Sequence, residues 1–152
     1  MKRPRSIGVA PHFCNVDLDI ESKHDLAVLA AELGRKVYDL GTGPVSPGCF
    51  LLRLETARKY DNPDDTICAF CSMLQRLPAK PMWAWRSAHK KEFDIGYDAV
   101  PSQHFSQFSL RTDTLKRISN LGATLEVTFY YFPRDERNPP AKPPWPKRKG
   151  NE

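Results

Sequence analysis

Between Phe13 and Ile20 the sequence alternates without a break. Cys14, Val16, Leu18 and Ile20 fall on one side, and Asn15, Asp17 and Asp19 on the other. A period of two belongs to a half-buried β-strand, and it commits the fold to one apolar and one polar sheet face. The strand closes at Glu21-Ser22, where Ser22 is placed to cap a helix with Asp25 at the N3 position. Leu26, Leu29, Ala30 and Leu33 then recur at helical spacing, and Gly34 provides a stop.

The same switching of period continues down the chain. Residues 35–40 read as a strand, 41–48 as a loop because three glycines and two prolines permit little else, and 49–57 as a strand. Asn62 caps a second helix, Pro63 suits its first position, and Asp64 and Asp65 favour the positive end of the helix dipole. Ile67, Phe70, Cys71, Leu74 and Leu77 form its stripe, and Pro78 ends it. Residues 81–90 read as a short helix holding Trp83 and Trp85. Phe93, Ile95 and Tyr97 alternate with Asp94, Gly96 and Asp98 as another strand. Residues 104–110 read as a strand, Thr112 caps a helix carrying Leu115, Ile118 and Leu121 that stops at Gly122, and 123–132 form the last strand.

The expected fold is α+β: a single mixed, mainly antiparallel sheet of about six strands with helices packed on one side. Strand, capped helix, Leu-Gly stop and strand occur at 13–40 and again at 104–132. Duplication would give two strand–helix–strand halves, but chance produces the same pattern, since a capped helix ending in Leu-Gly is common. The expected organisation is a basic N-terminal extension at 1–11, one domain at 12–132 and a proline-rich basic flexible tail at 133–152.

The chain of 152 residues has a net charge of +5, which invites a nucleic-acid reading until it is divided. Lys2, Arg3 and Arg5 give the N-terminal extension +3, and the tail also carries +3, which leaves −1 for residues 12–132. Basicity therefore belongs to the ends, and a phosphate-tracking groove on the domain is not expected. Weak polyanion binding would have to run through the tails. No apolar run approaches a membrane span, and no apolar segment follows the basic N-terminus, so the expected setting is the cytoplasm, without a membrane.

Chemistry-bearing residues are sparse. Cys14, Cys49, Cys68 and Cys71 are expected to be thiols; Cys68-Ala69-Phe70-Cys71 has C-x-x-C spacing, but it falls mid-helix and has no second pair. A structural role is favoured over metal or redox use, and no cofactor or metal site is expected. Asp17, Asp19 and Glu21 share one strand face, and Asp94 and Asp98 share another; a solvated outer face is the plain explanation, and a basic partner surface the sharper one. Among His12, His24, His89 and His104 no pair has metal-ligand spacing. No nucleophile elbow, phosphate loop or dinucleotide fingerprint occurs, and no catalytic residue is assigned. Trp83, Trp85 and Arg86 are the residue types that interfaces favour. Tryptophans at i and i+2 cannot share a helical face, which would leave one in the core and one exposed, although both could pack against the body.

Residues 92–97, followed by Phe108-Ser109-Leu110-Arg111 and by residues 115–132, resemble a family of small bacterial single-domain α+β proteins of the immunity-protein type. The resemblance covers the last third of the domain and rests on a strand, a short capped helix, a Leu-Gly stop and an aromatic-rich final strand. It implies a non-enzymatic protein that neutralises a cognate toxin by direct binding. Trp83, Trp85, Arg86, Asp17, Asp19 and Glu21 are then the candidate contacts. The rival is a small-ligand protein or enzyme with a cleft at Asp94, Asp98 and His104.

Overall fold

The computed structural model describes residues 12–99 and 107–131. They form five strands, β1 (His12–Ser22), β2 (Val37–Ser46), β3 (Cys49–Thr56), β4 (Lys90–Ala99) and β5 (Thr124–Tyr131). Four helices join them, α1 (Ala27–Leu33), α2 (Pro63–Leu74), α3 (Ala79–Ser87) and α4 (Thr112–Asn120). The strands make one α+β mixed sheet in the order β2-β3-β1-β4-β5. β1 lies at the centre, antiparallel to both β3 and β4; β2 and β3 form an antiparallel hairpin. β4 and β5 are parallel, as strands joined through a crossover helix must be when they adjoin.

The alternation that opens the sequence sets the layers. Val16, Leu18 and Ile20 of β1, Leu52 and Leu54 of β3, and Phe93 and Ile95 of β4 are wholly buried. They join Leu29 and Leu33 of α1, Ile67, Phe70 and Leu74 of α2, Trp85 of α3 and Ile118 of α4 in a single core. All four helices thus lie on one face of the sheet. No helix among the described residues is long and apolar enough to cross a membrane.

Helix α2 starts as its sequence dictates: the Asn62 side chain accepts a bond from Asp65 N at 2.8 Å, and Pro63 occupies the first turn. The two other caps expected from the sequence, Ser22 and Thr112, are not used. Ser22 ends β1 and accepts from His24 N, while α1 begins only at Ala27, whose N–H is held by Asp25 Oδ1 at 2.8 Å. Thr112 is already inside α4, and the residue at the cap is Arg111. Asp64 of α2 substitutes for a local cap. It accepts Arg111 N at 2.9 Å and pairs with Arg111 Nε at 2.5 Å, which fastens the start of α4 to the start of α2.

Two readings of the chain are corrected. The expected loop at 41–48 is mostly strand, with only Pro47-Gly48 in the turn and Gly48 at φ 70°. Glycine and proline are tolerated because β2 is an edge strand, and register shifts at Asp39/Gly41 and Pro44/Ser46 absorb them. Conversely, residues 107–110 form no strand, which leaves five strands rather than six among the described residues. Phe108 and Leu110 alternate because the connector is laid on the core, with Phe108 stacked on Tyr97 at 5.3 Å. The second strand–helix–strand unit is therefore β4-α4-β5. It differs from the first, in which β3 separates β1 from β2. Gly34 and Gly122 do end α1 and α4 alike, at φ 51° and 66°. The basic extension at 1–11, residues 104–106 with His104, and the tail at 133–152 lie outside the described residues.

The two tryptophans of α3 divide between core and surface. Trp85 is 1% exposed and its Nε1 donates to Leu121 O at 3.2 Å, whereas Trp83 is 56% exposed and packs beside the His24 ring at 4.9 Å. Replacing Trp85 by alanine is expected to remove about 3–5 kcal/mol of folding free energy through lost burial and the cavity left behind. Trp83→Ala is expected to remove less than about 1 kcal/mol. Urea denaturation of the two variants followed by circular dichroism measures the difference.

Candidate functional site

The face of the sheet turned away from the helices carries the polar half of each alternation, and among the described residues no element packs over it. Backbone register decides which side chains meet there. Asp17 pairs with Glu55 on β3 and with Asp94 on β4, and Asp94 pairs with Glu126 on β5. Four carboxylates on four strands therefore stand in one row, ended on β2 by Tyr38 opposite Glu55. Neighbouring strands are about 4.8 Å apart, so the row runs roughly 14 Å across the sheet. The next row holds Arg53, Asp19, Glu92 and Thr124, and beyond it Glu21 faces Lys90.

The Asp17-Asp19-Glu21 set and the Asp94-Asp98 set, which the sequence places on separate strands, thus share a single surface. Glu55, Glu92 and Glu126 complete it and were not singled out from sequence. Their polar alternation is readable, but their registration with Asp17 and Asp94 depends on which strands pair.

A row of like charges needs internal support. Arg53 provides most of it: Nε and Nη2 grip the two carboxylate oxygens of Asp19 at 2.7 and 2.8 Å. This bidentate bond holds the Arg53 guanidinium above its ordinary value and gives the 7%-exposed Asp19 its counter-charge. Thr128 Oγ1 donates to Asp94 Oδ1 at 2.8 Å, and Asn15 Nδ2 donates to Asp17 Oδ1 at 2.8 Å. Tyr130 reaches over Gly96, where a Cβ would stand 3.4 Å from the ring and 2.9 Å from Asn15 Oδ1. A side chain at 96 would displace both groups that frame the centre of the row.

The support is incomplete at Asp17. Its carboxyl is pushed up to about 7, first by burial and then by the charges of Glu55, Asp19 and Asp94, with Arg53 opposing. Glu126 at the exposed end is raised by Glu92 and Asp94, and the Tyr130 hydroxyl by burial and then Asp94. Asp17 therefore keeps its proton to a higher pH than an isolated carboxylate does. The acids lie along a line, and among the described residues no three His, Cys, Asp or Glu side chains are grouped so that they could hold a metal ion.

The remaining candidates fall elsewhere. Trp83 and Arg86 are exposed on α3, on the helical side of the sheet, and are not part of the acidic face. Trp85 is a core residue and cannot touch a partner, a correction that follows from its packing against the end of α4. Asp98 is four residues from Asp94 and sits against Cys14, whose thiol is pushed up to about 12 by burial and then by Asp98. Asp98 Oδ1 is buried with no hydrogen-bond partner among the described residues. Cys68 and Cys71 are free thiols within α2; Cys71 is buried, which pushes it up to about 11, a poor setting for a reactive thiolate.

The raised carboxyl of Asp17 has a consequence for stability. The unfolded chain gives up this proton near 3.8 and the folded domain only near 7, so the group opposes folding increasingly as pH rises through that window. An asparagine keeps the acceptor for Asn15 and cannot ionise. Asp17→Asn is expected to raise folding free energy by about 1–3 kcal/mol at pH 8 and by almost nothing at pH 4. Urea denaturation at the two pH values measures both.

No family model matches the chain, and neither does any curated protein or solved structure.

Proposed function

We propose that the chain is a non-enzymatic protein-binding domain whose acidic sheet face docks on a basic surface of its partner. The observation that carries this reading is the row Glu55-Asp17-Asp94-Glu126, four carboxylates in register on four paired strands with a single fixed cation, Arg53, in the neighbouring row. Hydrogen-bonded strands hold these groups in place before any encounter, so little ordering is required on binding. The charges repel one another, and a partner's Lys and Arg side chains would relieve that repulsion. Complementarity of this kind governs approach and selectivity, and it weakens with salt.

In its finer form the reading is an immunity protein that neutralises a toxin by covering its active surface. A toxin that acts on nucleic acid presents a basic surface to its phosphates, which is the surface this face would match. The domain as a whole is near neutral, and its acid is gathered on one side, so recognition would be directional. This favours the protein-binding reading over the cleft of Asp94, Asp98 and His104, because Asp94 is committed to the row and to Thr128.

Site-specific photo-cross-linking in producing cells tests the proposal. A cross-linker replacing Thr124 on the acidic face is expected to capture one discrete protein, and one replacing the exposed Leu115 on α4 is not. Adding Glu55→Gln and Glu126→Gln should abolish capture from position 124. Capture from 115 alone, or undiminished capture by the neutralised variant, would contradict it.

A further inference from the structure

The helical side of the molecule has a groove of about 440 Å³ at the β2–β3 edge, lined by Arg35, Lys36, Arg58, Tyr60, Ser72 and Met73 among others. Its volume falls in the range of small-molecule sites. Three separate segments build it. Arg35 and Lys36 come from the 3-10 turn after α1, Arg58 and Tyr60 from the chain leaving β3, and Ser72 and Met73 from α2. The bond from Ala57 N to Lys36 O at 2.9 Å ties the backbones of the first two segments together and so brings Arg35, Lys36 and Arg58 to one edge of the groove.

The lining includes three cations and no carboxylate, and none of Arg35, Lys36 and Arg58 makes an ion pair among the described residues. Three cations elsewhere in this nearly neutral domain are paired: Arg53 with Asp19, Lys90 with Glu21 and Glu92, Arg111 with Asp64. Arg58 is also oriented, its guanidinium 5.2 Å from the centre of the Tyr60 ring. The hydroxyls of Thr56 and Ser72 add polar atoms, and Ala57, Ala69 and Met73 supply an apolar wall. Ser72 Oγ accepts from Arg117 Nη2 at 2.8 Å, which leaves its own proton available to donate into the groove.

We infer that this groove binds a small phosphate monoester, its dianionic head held by Arg35, Lys36 and Arg58 and its compact apolar body against Ala57, Ala69 and Met73. Three cations around one groove suit a dianion better than a single carboxylate, and forked guanidinium donors match phosphate oxygens. The site is independent of the acidic face, being on the opposite side of the sheet.

Amide chemical-shift titration of the full chain with phenyl phosphate, with inorganic phosphate and with benzoate tests the inference. Phenyl phosphate is expected to give saturable shifts at Ala57, Arg58, Ala69 and Ser72, with an affinity at least about tenfold above that for either other probe. Lys36→Gln combined with Arg58→Gln should weaken it by at least about tenfold while the remaining spectrum stays that of the folded domain. Should the double variant lose the folded spectrum, Arg35→Gln alone is expected to weaken binding measurably in its place. Non-saturable shifts, binding unchanged in the folded variants, or equal affinity for inorganic phosphate would overturn the inference.

Discussion

Strand β1 is paired on both sides, and its two-residue pleat divides the molecule. Val16, Leu18 and Ile20 are sealed beneath the helices, while Asn15, Asp17, Asp19 and Glu21 go to the other face. Because the period is two, a slip of one residue against β3 or β4 would drive Asp17 and Asp19 into the core and expose Leu18 and Ile20. Burial of those apolar side chains contributes about 1.5–3 kcal/mol each, so the register is strongly held. The acidic row is a by-product of that register. Hydrophobic burial chooses the pairing, and the pairing brings Glu55, Asp94 and Glu126 alongside Asp17.

The electrostatic character of the face follows from this imposed proximity. Carboxylates free to move would separate; on adjacent strands they cannot. The molecule offsets part of the repulsion through Arg53, Thr128 and Asn15, and burial together with the remaining repulsion pushes the Asp17 carboxyl up to about 7. Such residual frustration is uncommon on a purely structural surface and is a reason to look for function there. On the helical side the imbalance is reversed, with Arg35, Lys36 and Arg58 clustered around a groove. A domain of net charge near −1 thus carries two faces of opposite sign.

What the sequence discloses and what it conceals divides along the range of the interaction. Local chemistry is legible: the alternation of β1 and β4, the Asn62-Pro63 helix start and the glycine stops at 34 and 122 all depend on neighbours a few residues away. Capping by Ser22 and Thr112 obeys the same rules, but Asp25 holds the first N–H of α1 and Asp64 reaches across from α2 to hold that of Arg111. Residues 107–110 read as strand and are not, because apolar alternation in an extended connector laid on the core is indistinguishable from that of a strand. Tertiary placement also decided the tryptophans, since the spacing of Trp83 and Trp85 separates their directions without saying which one meets the core. For the candidate site, Asp17, Asp19, Glu21 and Asp94 were visible as strand acids. Their union into one row was not, because register between strands distant in sequence has no local signature.

The central claim is that strand register couples these carboxylates into one electrostatic unit, and Asp17 is its most sensitive reporter. A carbon-detected NMR titration of the side-chain carboxyls, in the native domain and in Glu55→Gln, measures it directly. The account predicts an Asp17 midpoint near 7 that moves down when the Glu55 charge is removed. An Asp17 midpoint near 3.8, unmoved by that substitution, would contradict it.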